Sequence, residues 1–309
     1  MPPESPATEL SRVIDDDVIV LDGGLATLLE ARGHDLTSDL WSARLLTDDP
    51  DAIVRAHAEF FDAGAQVATT ASYQASFEGF ATLGLDHSES AGLMRLSVSL
   101  AVRARDEHRP DGWVAASIGP YGAYLADGSE YRGDYDLDVA GLRAFHRPRL
   151  DVLAAAGADV LAVETIPCLA EVEALCAELT GTGVTAWLSL SAAQGGRTRA
   201  GEPLEEAWAM ASDVDEIVAV GVNCCAPEDV TTALASATAP LVAYPNSGQG
   251  WDAERRTWTG ESAFDGGAVS VWLEAGARLV GGCCRVGPAD IAMVASAVSA
   301  QPGPARGTT

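Results

Sequence analysis

The residues of this chain best placed to do chemistry are two cysteine clusters, each ending an apolar run. The first closes Val218-Ala219-Val220-Gly221-Val222-Asn223-Cys224-Cys225, and the second closes Leu279-Val280-Gly281-Gly282-Cys283-Cys284-Arg285. Three thiolates on one centre, with a fourth position open, make a catalytic zinc site. Neighbouring cysteines within a strand point to opposite faces. Cys283 and Cys284 can therefore share a metal only where the strand ends and the chain turns, as Gly281 and Gly282 permit. The clusters lie 59 residues apart, from Cys224 to Cys283, unlike the short paired spacings of a zinc finger, so a fold has to bring them together. A single free cysteine is most often a small buried hydrophobe; two such clusters ending two strands favour ligation.

All-sulfur ligation selects zinc, one ion per chain, over magnesium or calcium, which take oxygen. Histidine is scarce, five in all, and none sits in a strand-end motif, which gives a histidine-rich hydrolytic centre little support. Zinc held by three thiolates suits an incoming thiol, lowering its pKa from the free value near ~8.5. Asp22 and Glu164, each closing an apolar run, suit an ammonium on the same substrate. A thiol-bearing amino acid carries both groups. Asp22 reads equally as the N-cap of a helix beginning near Leu25. Glu164, closing Val160-Leu161-Ala162-Val163, has less structural excuse.

The elements that must position these groups repeat in kind. Val18–Asp22, Gln66–Ser72, Val114–Ile118, Val160–Glu164, Ala186–Ser191, Ile217–Val222, Leu241–Tyr244 and Arg278–Val280 are short, apolar or β-branched, and lack tight alternation. Such runs suit strands of a parallel sheet buried on both faces. Helix-length stretches separate them: Ala52–Ala63, Ser90–Arg109, Ala140–Ala156, Leu169–Leu179, Glu228–Ala237 and Ala289–Ala300. Eight β-then-α units predict an α/β fold, a (β/α)8 TIM barrel, as a single domain over 13–300 with disordered tails at 1–12 and 301–309. Chemistry in this fold sits at the C-terminal ends of the strands. Asp22-Gly23-Gly24, Thr69-Thr70 with Tyr73-Gln74, Glu164-Thr165, Cys224, Tyr244-Pro245-Asn246-Ser247-Gly248 and Cys283-Cys284 all fall there. The sixth and eighth strands are next-but-one neighbours, roughly 10 Å apart, a gap that two cysteine side chains and two Zn–S bonds of about 2.3 Å close.

Composition narrows the function classes. The chain has 309 residues, 48% of them hydrophobic, with no apolar stretch near the ~20 residues of a membrane span. Its start, MPPESPATELSRVIDDD, lacks the basic and apolar regions of a signal peptide. Six cysteines, four in vicinal pairs, do not resemble a disulfide framework, and a reducing cytoplasm is the expected compartment. A net charge of −26 argues against nucleic acid. It favours solubility first and a cationic ligand second. No obligate protein partner is evident.

The motifs LDGGLATLLEARG, LWSA, TTASYQAS, GPYGAYLADGSEYRGDY, VETIP, GVNCCAP, YPNSG, GARLVGGCCR and PADI follow one another along nearly the whole chain. In this order they resemble the homocysteine S-methyltransferase family, in the branch using S-methylmethionine or S-adenosylmethionine as donor. The resemblance implies that Cys224, Cys283 and Cys284 hold zinc, and that Asp22 and Glu164 hold the homocysteine amino group. It places Gly23 where backbone approaches the substrate, with Thr70 nearby, and Asn246 as an alternative fourth ligand while homocysteine is absent. The implied reaction is in-line methyl transfer from a sulfonium to the homocysteine thiolate, giving methionine. Trp41, Tyr121, Tyr124, Tyr131 and Tyr135 are candidate contacts for the sulfonium, and the 122–138 loop is a lid or a packed rim. Cys225 and Gln249 depart from the family pattern, the first leaving open which of Cys224 and Cys225 faces the metal. Cys168 and Cys176 match no ligand position. A betaine-using methyltransferase and a non-catalytic homocysteine- or zinc-binding module are the competing readings.

Overall fold

In the computed structural model, residues 6–36, 41–252 and 257–301 are described. Eight parallel strands form the wall: β1 (Ile19–Val20), β2 (Val67–Thr69), β3 (Trp113–Ile118), β4 (Val160–Ile166), β5 (Ala186–Ala193), β6 (Ile217–Asn223), β7 (Leu241–Tyr244) and β8 (Ala277–Val280). Each pairs with the next in sequence from β2 to β8, β8 pairs with β1, and a parallel bridge from Leu21 to Val67 closes the ring. This is the expected (β/α)8 barrel.

The apolar runs form strands because both of their faces are covered. Ile19, Leu21, Val67, Ala115, Val160, Ala162, Trp187, Ala219, Val242 and Leu279 fill the interior as one cluster. The alternate residues Val20, Val114, Ala116, Leu161, Val163, Val220 and Val280 belong to a second cluster under the outer helices. Helices close to the expected spans occupy that outer layer, among them Pro50–Asp62, His87–His108, Val139–Ala154, Leu169–Leu179 and Pro288–Ser299. Asp86 and Glu89 cap the second of these reciprocally, which starts it earlier than apolar periodicity alone suggested. The expected helix Glu228–Ala237 is shorter, a 3-10 turn Pro227–Asp229 followed by Val230–Leu234.

The N-terminal tail is corrected. Pro6–Asp16 is helical, and Leu10 and Ile14 are each only 1% exposed, packed in the barrel-interior cluster. A barrel bottom lined by Ile19, Val67 and Leu279 needs an apolar cover, and this helix provides it. Residues 1–5 and 302–309 of the expected tails lie outside the described residues. Two small additions, the strand Arg197–Thr198 beside β5 and the hairpin Gly250–Asp252 with Thr257–Thr259, decorate loops at the opposite end.

Candidate metal centre

Strand alternation determines what the barrel presents at its C-terminal mouth. In β4 the interior positions Val160 and Ala162 lead to Glu164, and in β3 Ala115 leads to Ser117. The two meet: the Ser117 hydroxyl donates to Glu164 Oε1, and both are buried. Tyr244, at the end of β7, accepts from Trp187 Nε1 at 3.1 Å and also bonds Glu164. Burial pushes Glu164 up to about 7 against the pull of these hydrogen bonds.

Asp22 lies just past β1. Its carboxylate accepts from Thr69 N at 2.7 Å and Thr69 Oγ1 at 2.9 Å. The helix Leu25–Ala31 has Gly24 at its N-cap position with no side-chain cap, so Asp22 is not serving as that cap. Burial, with a smaller repulsion from Glu164, pushes Asp22 up to about 7. Gly23 is sterically required, since a Cβ there would collide with the Val286 carbonyl and lie 2.7 Å from Phe60 Cε1.

The cysteines converge beside these carboxylates. Cys283 Sγ is 3.3 Å from Cys224 Sγ, Cys284 Sγ is 3.9 Å from Cys224 Sγ, and Cys283 and Cys284 are 4.0 Å apart. Among the described residues this trio is the cluster of side chains arranged to hold a metal ion. Cys283 and Cys284 leave the barrel wall at Gly281 and Gly282, and the Cys284 amide donates to Asn246 Oδ1 at 3.1 Å. Thiols of Cys283 and Cys284 hydrogen-bonded to Cys224 hold its pKa below the ordinary thiol range, while theirs rise. Cys225 turns away into the outer apolar cluster, and burial pushes its thiol up to about 12.

Cys224 reaches the centre through a left-handed backbone, φ +51°, and Thr165 at the end of β4 has φ +62°. Both are unusual for non-glycine residues. Asn223, fully buried, braces them: its Oδ1 accepts from Thr165 N at 2.8 Å and Ser189 Oγ at 2.9 Å, and its Nδ2 donates to Thr165 Oγ1 at 2.8 Å. Asn223 and Ser117 escaped sequence reasoning. The signal available was a polar residue at an inward position of an otherwise apolar strand.

A cavity of about 220 Å³ opens onto the three sulfurs and both carboxylates. Gly23, Thr70, Tyr73, Gln74, Glu130, Tyr131 and Thr165 also line it. Thr70 is present, but its hydroxyl is engaged with Ser72 Oγ at 2.7 Å and Ser117 N at 3.1 Å. Asn246 is adjacent rather than lining, held on Cys284, and Gln249 instead accepts from Arg285 Nε at 3.2 Å. Of the candidate aromatics, Tyr131 lines the cavity, its hydroxyl 3.4 Å from Cys224 Sγ. Tyr121 packs with Tyr124, Tyr135 and Phe145 in a separate cluster with ring centroids 5.0–5.7 Å apart. Trp41 opens the helix Trp41–Asp48, and its side chain lies outside the described residues. Cys168 and Cys176 are buried away from the centre, as expected of packing residues.

The comparisons with known proteins agree with this geometry. The homocysteine S-methyltransferase family model matches residues 19–298. The chain is 45% identical over 295 residues to homocysteine S-methyltransferase YbgG of Bacillus subtilis, covering 90% of this chain and 94% of that one. It is 47% identical over 290 residues to homocysteine S-methyltransferase of Escherichia coli, covering 89% and 94%. The crystal structure of the metallated homocysteine methyltransferase MmuM from Escherichia coli superimposes with a TM-score of 0.85 at 44% identity, covering 94% of this chain and 99% of that one. A barrel whose mouth gathers three cysteines and two buried carboxylates, matched from β1 to the last helix, belongs to the homocysteine S-methyltransferase family of methyltransferases.

Proposed function

We propose that this enzyme transfers a methyl group from a sulfonium donor, S-methylmethionine or S-adenosylmethionine, to the thiol of L-homocysteine, giving methionine. The observation that carries the reading is the convergence of Cys224, Cys283 and Cys284 on a cavity that also receives Asp22 and Glu164. The sulfur separations of 3.3–4.0 Å suit one tetrahedral zinc, whose Zn–S bonds of about 2.3 Å set sulfurs about 3.8 Å apart. Cys224, Cys283 and Cys284 would hold the zinc, which would supply Lewis acidity that keeps an incoming thiol ionised and nucleophilic.

The chain's own residues do the rest. Asp22 and Glu164 accept the homocysteine ammonium, whose charge opposes the burial that otherwise pushes both carboxyls up to about 7. A substrate anchored at its amino end presents its sulfur to the cysteine trio. The homocysteine thiolate forms a bond to the methyl carbon as the donor's carbon–sulfur bond breaks, and the electron pair returns to the donor sulfur. The leaving group is a neutral thioether, so no general acid is required. The reading calls for no partner protein. It fits a reducing cytoplasm, in which the six free thiols would persist.

Methionine formation from homocysteine with S-methylmethionine, S-adenosylmethionine or betaine, together with metal analysis, tests this. The expected result is turnover of a sulfonium donor and one zinc per chain. Replacing Cys224, Cys283 or Cys284 with alanine should remove both metal and activity, whereas Cys168→Ala and Cys176→Ala should remove neither. Turnover of betaine alone, or zinc retained without Cys224 but lost without Cys225, would overturn the assignment.

A further inference from the structure

The cavity holds polar groups that anchoring homocysteine leaves unused. Glu130 lines it from the 3-10 turn Ser129–Tyr131, and its Oε2 is buried with no hydrogen-bond partner. Gln74 lines it from the loop after β2, and its Oε1 is also buried and unpartnered. The Gln74 amide nitrogen is committed to the Ala123 carbonyl at 3.3 Å, so the oxygen is the end left over. One short helix, Tyr121–Leu125, brings the two together: Gln74 bonds Ala123, and Gly122 is packed so closely on Glu130 that a Cβ would collide with its backbone nitrogen. Nearby cations have partners of their own, Arg132 reaching Glu130 through its charge rather than a hydrogen bond. Arg132 pairs with Asp134 at 3.1 Å, and Arg199 donates to Ser191 Oγ at 3.0 Å while covering the Tyr131 ring.

Buried acceptors without donors are costly and call for N–H groups from outside the chain. A sulfonium centre has no N–H to give, and neither has the quaternary nitrogen of betaine. An α-ammonium has three. Resting on the methyl-transfer reading above, we propose that Glu130 and Gln74 form a subsite for the α-ammonium of the methyl donor, so that the enzyme selects amino-acid sulfoniums over simple ones. Both oxygens are covered in this structure, and a turn about the soft terminal torsion of Glu130 brings its carboxylate to a ligand. Burial holds the Glu130 carboxyl above its ordinary range, so an arriving cation is its natural counter-charge. Tyr131, the next residue after Glu130, has its hydroxyl 3.4 Å from Cys224 Sγ, so the subsite lies beside the cysteine trio.

The test compares S-methylmethionine with trimethylsulfonium, a donor of the same reacting group without an amino group. In Glu130→Gln the ratio of kcat/KM for S-methylmethionine over trimethylsulfonium should fall about tenfold to hundredfold, the effect of losing one hydrogen bond to a charged group. The loss should appear in the donor KM rather than in kcat, with zinc content and homocysteine KM retained. Gln74→Leu should lower the same ratio by about threefold to tenfold, and Glu130→Asp should restore part of it. Calorimetric titration of S-methylmethionine into the zinc-loaded protein without homocysteine separates this from the parent reading. Binding weakened at least tenfold by Glu130→Gln supports the subsite even where no methionine forms. Equal binding by wild type and variant, no binding by wild type, or an unchanged donor ratio overturns it.

Discussion

At the residue scale, the decisive event is a single left-handed backbone conformation. Ala219, Gly221 and Asn223 take the inward positions of β6, so unbroken alternation would direct Cys225 inward and Cys224 outward. The φ of +51° at Cys224 reverses that order and delivers its sulfur to Cys283 and Cys284. Glu164 illustrates the opposite case, because its place is what alternation dictates. Its carboxyl is pushed up to about 7, above the ordinary value near ~4.3. The folded chain therefore retains a proton that the unfolded chain releases, and stability falls as pH rises from about 4 to about 7. Glu164→Gln should escape this loss and melt above wild type at pH 8, with the difference vanishing near pH 4. In the same variant kcat/KM for homocysteine should fall about tenfold to hundredfold, while a thiol without an amino group is affected far less. A lower melting temperature together with an equal loss on all thiols would make Glu164 a fold-stabilising residue instead.

At the scale of elements, the site depends on braces between strand ends. Asn223 ties the end of β6 to the left-handed Thr165 of β4 and to Ser189 of β5. Asn223→Ala leaves buried donors unpaired, at about 1–3 kcal/mol, and frees Cys224 from its imposed conformation. Both a lower melting temperature and weaker zinc retention in competition with a chelator are expected. A stability loss with unchanged retention would restrict Asn223 to folding. Arg149, fully buried, does a comparable job for the loops, donating to the carbonyls of Gly119 at 3.0 Å and Tyr73 at 3.0 Å. At the other end of the barrel, the Pro6–Asp16 helix is a structural cover. Leu10→Ala should cost about 2–5 kcal/mol in denaturant unfolding while the folded fraction keeps its kcat. A cost below about 1 kcal/mol would mean that the helix contributes little to the fold.

At the scale of the whole molecule, the net charge of −26 surrounds a cavity proposed to receive a cation. Such a field raises the local concentration of a positively charged donor and is screened by salt. The Debye length shrinks from about 30 Å at 0.01 M to about 10 Å at 0.1 M, so kcat/KM for the sulfonium donor should fall severalfold over that range while kcat stays level. A parallel fall in kcat would point to metal loss rather than screening, and metal analysis of the same samples distinguishes the two.

The barrel was legible in the chain because periodicity is a local property. Eight buried runs and their intervening helices announce themselves within a few residues, and once β-then-α order is counted, the mouth of the barrel follows. The cysteines and carboxylates gathered at the candidate site were legible for the same reason, since Cys283-Cys284 and Glu164 sit where apolar runs stop. Alternation alone would have selected Cys225 over Cys224, because the observed order rests on a backbone strained at Cys224 and on a buried Asn223–Thr165–Ser189 network spanning three strands. The early helix was missed because its apolar residues are few and gain their partners only from the closed bottom of the barrel. Asn246 was matched by motif to the site, and only the folded chain shows its Oδ1 accepting from the Cys284 amide; Glu130 gained significance only when the loop carrying it folded over the cavity. Local pattern determined the elements and the chemistry at their ends; contacts between residues far apart in sequence decided which side chains face it.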